Sequence, residues 1–166
     1  MSILEVMTKL DPKGQQFSIG TGGKPDIDWQ DVCGAIASLP SILQDYAFLL
    51  HNPRAGGKKL AFVKSVAIIV IAEVEKSGIK CRKQNLDALC EAIASTAVVQ
   101  ALNPNLKMTR LERMAAGGVV MDDECYRVRW ERFELDLLDR LESWQSEVEW
   151  TVSDYMRETK RVSISA

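Results

Sequence analysis

Residues 111–133 of the chain read LERMAAGGVVMDDECYRVRWERF, and the fold of its second half depends on this stretch. Two adjacent glycines interrupt a short helical pattern, and a new apolar pattern begins after Asp122. Glycine is a poor helix former, whereas aspartate is one of the preferred N-cap residues. We therefore predict a short helix that follows Thr109 and reads RLERMAA, a bend that reads GGVVMD, and a second helix capped by Asp122.

The second predicted helix has an aromatic face that continues to about residue 158. Its apolar residues recur at spacings of three and four, which places them on one side of a helix. They are Tyr126, Trp130, Phe133, Leu137, Leu141, Trp144, Val148, Val152 and Tyr155. We interpret most of this face as core. Trp150 falls off the main stripe and is the candidate partner-binding residue, since exposed tryptophans often dominate protein interfaces.

Three arginines lie away from the aromatic face, with Arg127 and Arg132 outward and Arg129 on one flank. A guanidinium group can bind a guanine edge with two hydrogen bonds, and it also binds phosphate. Arg110 and Arg113, on the preceding short helix, would add contacts to the DNA backbone.

Residues 107–135 are a candidate DNA-reading helix-turn-helix. Their predicted elements have the order of that motif: a short helix, a glycine-containing bend and a second helix. An ordinary helical hairpin is the alternative. Asp122, Asp123 and Glu124 stand where a reading helix first meets the duplex, and carboxylates repel phosphates. The bend is also longer than in the tight form of the motif.

The rest of the chain predicts one mainly α-helical domain over residues 27–166, behind a flexible N-terminal arm at residues 1–26 that is rich in glycine and proline. Pro40 divides the first helical segment, which Asp28 begins. Residues 58–76 favour a central helix that ends at Gly78, although a buried strand is the alternative because the segment is rich in β-branched residues. A further helix follows and stops at Pro104.

The composition is ordinary for a globular domain: 166 residues, 46% hydrophobic, 27% charged, with a net charge of −2. The four cysteines lack the close pairs of a zinc site, which predicts buried free thiols and no metal. No apolar run is long enough to cross a membrane, and no export signal is visible, so we expect a cytoplasmic protein. Phosphate-loop, nucleotide and hydrolase motifs are lacking, which argues against an enzyme or a cofactor.

Charge is segregated along the chain. Residues 54–83 hold eight Lys or Arg against two acids, whereas residues 131–158 hold nine acids against three arginines. Such a protein can contact DNA with one surface and another protein with a second, although a solvated surface explains either region alone.

Three stretches of the chain are considered together: the opening LEVMTKLDPKG, the helix WQDVCGAIASL and the C-terminal CYRVRWERF. Their order resembles that in the Q-type late-gene antitermination proteins of lambda-like phages. Some members carry paired cysteines in the middle, and this chain lacks them. The resemblance implies a small, cytoplasmic, helical, phage-encoded factor that binds double-stranded DNA and engages RNA polymerase with its sigma factor, so that the enzyme reads through terminators.

From this resemblance we expect Arg127, Arg129 and Arg132 to read DNA, with Arg110 and Arg113 as further contacts. The alternative function is a helical adaptor that binds another protein through its acidic, Trp150-bearing last helix and does not bind DNA. A homodimer is left open.

Overall fold

The computed structural model describes residues 29–79 and 83–164, which form seven helices and no strand. The mainly α-helical prediction is therefore confirmed. The helices are α1 (Trp29–Ala37), α2 (Ser41–His51), α3 (Gly56–Ser77), α4 (Lys83–Leu102), α5 (Arg110–Gly117), α6 (Asp123–Arg129) and α7 (Glu131–Ile164). The predictions for residues 1–26 and for the Asp28 cap lie outside the described residues.

The helices group into two compact units. One unit contains α1, α2 and the part of α7 from Gln145 onward. The other runs from Pro53 to Trp144 and contains α3 to α6 with the first part of α7. Each unit has its own buried residues.

In the first unit, Pro40 separates α1 from α2 as its sequence position predicted. Its backbone carbonyl accepts hydrogen bonds from Leu43 and Gln44 in the first turn of α2. The cluster between α1 and α7 contains Val32, Ala35 and Val152, with Ile36 and Met156 packed against it.

In the second unit, α3 is a helix of 22 residues, so the strand alternative for its apolar stretch is wrong. Phe62, Val66 and Val70 are among its buried residues, and α3 packs against α4. The helix ends at Gly78, whose φ of 72° is in the left-handed region that glycine adopts without steric cost. The predicted C-terminal glycine is therefore confirmed.

Helices α4 and α5 cross at close range where Gly117 lies over α4. A Cβ atom at Gly117 would be 2.7 Å from the backbone oxygen of Ala92 and would overlap the hydroxyl of Thr96. Only a residue without a side chain allows this approach. Gly117 therefore acts as a packing residue, whereas the next residue, Gly118, caps the end of the helix.

The long helix predicted from residue 122 to about residue 158 is broken at Trp130, and this part of the prediction is wrong. Trp130 has a φ of −121°, outside the helical range, and α6 and α7 lie on either side of it. The Phe133 amide donates to the Trp130 carbonyl, which closes a tighter turn across the break. The apolar spacing continues without change through Trp130, so the pattern contained no sign of the break.

Candidate nucleic-acid interface

Helix α5 begins with a capping box. Thr109 accepts a hydrogen bond from the Glu112 amide, while the Glu112 carboxylate accepts from the Thr109 amide over 2.7 Å. These hydrogen bonds from Thr109 hold the pKa of Glu112 below its ordinary value. The helix ends at Gly118, which has a φ of 79°, and the next residue, Val119, is buried. Both ends of this short helix are thus fixed by local chemistry.

Helix α6 begins at Asp122, as its sequence predicted. The Asp122 carboxylate accepts hydrogen bonds from the amides of Glu124 and Cys125 over 3.0 and 3.1 Å. The helix has only seven residues and buries Tyr126. A helix this short is marginal on its own, so its position depends on its contacts with neighbouring elements.

A buried polar network joins α5, α6 and α7. Glu134 is fully buried, and its carboxylate accepts hydrogen bonds from Arg113 Nε over 2.6 Å and from the Tyr126 hydroxyl over 2.7 Å. Burial and the neighbouring Glu134 carboxylate raise the pKa of Tyr126 well above its ordinary value, so the phenol remains a hydrogen-bond donor. Arg113 also contacts Glu131 over 3.2 Å. One carboxylate thus connects three helices.

A second ion pair links the ends of the bend. Arg110 grips Asp123 with two hydrogen bonds, from Nε over 2.6 Å and from Nη2 over 2.7 Å. This hydrogen bonding lowers the pKa of Asp123. Arg110 also lies 3.5 Å from Glu131. Because the pairing is bidentate, it fixes the direction of α6 relative to α5 as well as their separation.

Arg110 and Arg113 were predicted to contact DNA, and the structure places both within these ion pairs. The Arg110 side chain is 27% exposed and the Arg113 side chain is 16% exposed. Carboxylates accept hydrogen bonds from the guanidinium groups of both residues. A phosphate would have to displace a carboxylate that is already held. Their arrangement therefore favours a structural role over contact with DNA.

The three remaining arginines are exposed. Arg127, half exposed, pairs with Glu124 one turn earlier, and its Nε donates to that carboxylate over 2.9 Å. Arg129 has no hydrogen bond or ion pair within residues 29–79 and 83–164. Arg132 lies over the Phe133 ring, 4.5 Å from its centroid, a contact that leaves the donor groups of the guanidinium available. The sequence prediction of their outward direction agrees with this exposure.

Each of the three carboxylates that argued against DNA binding has an internal role. Asp122 caps α6, Asp123 is held by Arg110, and Glu124 is held by Arg127. The hydrogen bonds from Arg127 lower the pKa of Glu124. Repulsion of a nearby phosphate is therefore reduced at Asp123 and Glu124, because a guanidinium group compensates each charge.

Trp150 is 67% exposed on α7, and Tyr155 is partly exposed nearby in sequence. Trp130, by contrast, is buried. The prediction that Trp150 falls outside the apolar stripe is therefore confirmed. Its role as a partner-binding residue stays a prediction.

Of the cysteines, Cys90 is buried, Cys125 is half-buried and Cys33 is exposed; all three are free thiols. The prediction of burial is thus wrong for Cys33, and Cys81 lies outside the described residues. Within residues 29–79 and 83–164, no group of three or more His, Cys, Asp or Glu is placed to hold a metal ion. In the same ranges, no helix is both long and apolar enough to span a bilayer.

Sequence reasoning missed the roles of Glu131 and Glu134. Arg113 and Glu134 are 21 residues apart, and the pair forms only after the bend turns α6 and α7 back toward α5. No local spacing rule connects positions so far apart. The one available signal was Glu134 itself, a charged residue directly after Phe133 on the apolar stripe.

Comparisons with protein-family models, with curated proteins and with solved structures find no match for this chain. Its function is therefore inferred from its own residues.

Proposed function

We propose that the chain is a DNA-binding transcription factor that uses Arg127, Arg129 and Arg132 to contact the major groove of double-stranded DNA. The observation that supports it is the contrast between two sets of arginines. Arg110 and Arg113 lock the bend through carboxylates, while the other three project from α6 and the first turn of α7. A helix held firmly by its neighbours, with guanidinium groups on its free side, is suited to reading base edges.

Within this proposal the arginines differ in role. Arg129 and Arg132 are not paired with a carboxylate among the described residues and are suited to phosphate or guanine contacts. Arg127 also donates to a carboxylate, that of Glu124, through Nε and Nη2. Unlike the pairs of Arg110 and Arg113, this pair is half exposed and lies within one helical turn, so a phosphate or a base can replace Glu124 at little cost. Glu124 could also accept a hydrogen bond from the amino group of a cytosine.

We further propose that the factor acts in antitermination, by engaging RNA polymerase and its sigma factor while it is bound to DNA. The resemblance of CYRVRWERF to the Q-type phage proteins supports this step. The acidic part of α7 offers a second surface of opposite charge for a protein partner.

The DNA-binding proposal predicts salt-dependent affinity for duplex DNA. A preferred site would be selected from a random-sequence duplex library, and binding to it and to a scrambled duplex would be measured by mobility shift at rising salt. We expect the wild type to lose affinity with a log–log slope of about −3 or steeper. The pair Arg127→Ala with Arg132→Ala should reduce this slope by about 2 and remove the preference for the selected site.

The matched control is Arg140→Ala with Arg157→Ala, which removes the same charge from two exposed positions of α7. This control should keep both the slope and the site preference. Wild-type protein that shows no salt-dependent DNA affinity would contradict the proposal. Equal loss in the two double variants would show that net charge, rather than the α6 surface, controls binding.

A second candidate function, a protein-interaction adaptor, is favoured by the exposure of Trp150 in an acidic helix. Tryptophan is enriched among residues that dominate interface energies. In this function α7 binds a partner and the chain does not bind DNA.

To test the adaptor function, a partner would first be recovered with the immobilised chain and then purified. We expect Trp150→Ala to lower the affinity of the chain for this partner by about 30-fold or more. Titration calorimetry with the purified partner measures the loss. Leu111→Ala, which truncates another exposed apolar side chain, is the control and should bind normally. DNA binding together with an unchanged partner affinity in Trp150→Ala would count against the adaptor.

A further inference from the structure

We propose that the exposed face of α3 pairs with α3 of a second copy of the chain, in antiparallel orientation. This inference does not depend on the proposed DNA contacts. It follows from one exposed face of α3 and from the charges at its two ends.

The face lies opposite the buried side of α3. Ile68, which is 67% exposed, is at its centre. Ala61 and Ser65 precede Ile68 on the same face, and Ala72 and Glu75 follow it. These positions are separated by four, three, four and three residues, the spacing of a helix seam that packs on another helix. Because the residues beside Ile68 are small, a second helix can approach closely.

The two charged residues of this face form no ion pair with any residue that the structure describes. Lys64 lies one turn before Ile68, and neither it nor Glu75 forms an ion pair with another residue of the described ranges. By contrast, the neighbouring Lys76 and Glu73 pair with each other over 3.0 Å. Lys64 and Glu75 are about three helical turns apart and lie on the same side of the face.

A twofold axis across α3, midway between Lys64 and Glu75, satisfies both charges. It places Lys64 of each copy opposite Glu75 of the other copy, and it brings the two Ile68 side chains within about 4.5 Å of each other along the helix axis. A parallel pair would instead bring the two Lys64 residues to one level along the helices and the two Glu75 residues to another, so neither charge would face an opposite one. That arrangement leaves both charges unsatisfied. The charge pattern therefore selects the antiparallel dimer.

The contact area of one helix pair is below the roughly 1,600 Å² of a standard interface, so we expect a dissociation constant on the order of 10 µM. Sedimentation equilibrium of the full chain over about 1 to 500 µM would measure it. Ile68→Asp should abolish the dimer. Lys64→Glu and Glu75→Lys should each weaken it by about tenfold or more, because each places like charges opposite one another twice.

Mixing Lys64→Glu with Glu75→Lys tests the pairing directly. One variant then carries acidic residues at both positions and the other carries basic residues, so the mixture should form a heterodimer about as tight as the wild-type dimer, whereas each variant alone should dimerise about tenfold or more weakly. Lys107→Glu, an exposed residue away from α3, is the charge control and should dimerise like the wild type. Circular dichroism would check that every variant is folded.

A wild-type chain that stays monomeric at every concentration would overturn the proposal. If Ile68→Asp lowered the melting temperature of such a monomer, another part of the same chain would be the occupant of this face. A dimer whose dissociation constant is unchanged by both single charge reversals would also overturn it, because its interface would lie elsewhere.

Discussion

Gly117→Ala is expected to lower the free energy of unfolding by roughly 3 kcal/mol, a large effect for one methyl group. The added Cβ would lie 2.7 Å from the Ala92 backbone oxygen and would overlap the Thr96 side chain. Thr96 is fully buried and donates a hydrogen bond to that same oxygen over 2.9 Å, so a rotation away from the new methyl group would break that bond. The steric overlap is therefore removed only if α5 moves away from α4.

Gly57→Ala is the matched control. Gly57 lies in the first turn of α3, and a Cβ added there has no neighbour within 4 Å. Because alanine restricts the unfolded chain and favours helix, this variant should be neutral or stabilise by about 0.5 kcal/mol. Chemical denaturation followed by circular dichroism measures both. Equal stabilities of the two variants would show that α4 and α5 are not as close as described.

Arg113→Met is the second variant with a large expected effect, a loss of about 3 to 5 kcal/mol. It removes the guanidinium group that pairs with the fully buried Glu134. The carboxylate would keep its hydrogen bond from Tyr126 but lose its counter-charge. An unpaired buried charge is costly, whereas an intact buried pair contributes little net stability. The loss of stability therefore arises mainly from the unpaired, buried Glu134 carboxylate.

A double-mutant cycle separates that cost from the loss of packing. Glu134→Gln removes the charge and preserves the side-chain shape, so Arg113→Met with Glu134→Gln should be more stable than Arg113→Met alone. Arg127→Ala, which breaks the exposed pair with Glu124, is the control and should leave the free energy of unfolding nearly unchanged. Strict additivity of the cycle would show that Arg113 and Glu134 are not coupled.

These two expectations connect stability with the proposed function. Arg113 and Gly117 do not contact DNA in the proposal, yet both hold α5 where it supports α6. Loss of either should weaken DNA binding through the position of α6. Variants of Arg127 and Arg132 should instead weaken DNA binding while leaving stability nearly unchanged.

Local rules in the sequence were enough for most of the secondary structure. The N-caps Thr109 and Asp122, the helix end at Gly78 and the division at Pro40 were predicted because each depends on neighbouring residues alone. Helical periodicity likewise identified the buried face of α7. Such features need no knowledge of the rest of the chain.

The helix break at Trp130 could not be predicted in this way. Nor could the sequence predict which arginines form ion pairs and which are exposed. The break leaves the apolar spacing intact, so periodicity carries no record of it. Arg110 and Arg127 look alike in sequence, and their different environments arise because the bend brings Asp123 to one of them.

Interactions between residues within one or two helical turns thus account for where the helices begin and end. They also account for which face of a helix is apolar and buried. Which charges are free to meet a partner is decided by contacts between residues far apart in the chain. Those contacts form only after the helices pack. Arg113 and Glu134, for example, are 21 residues apart in the chain, and the folded bend brings their side chains together.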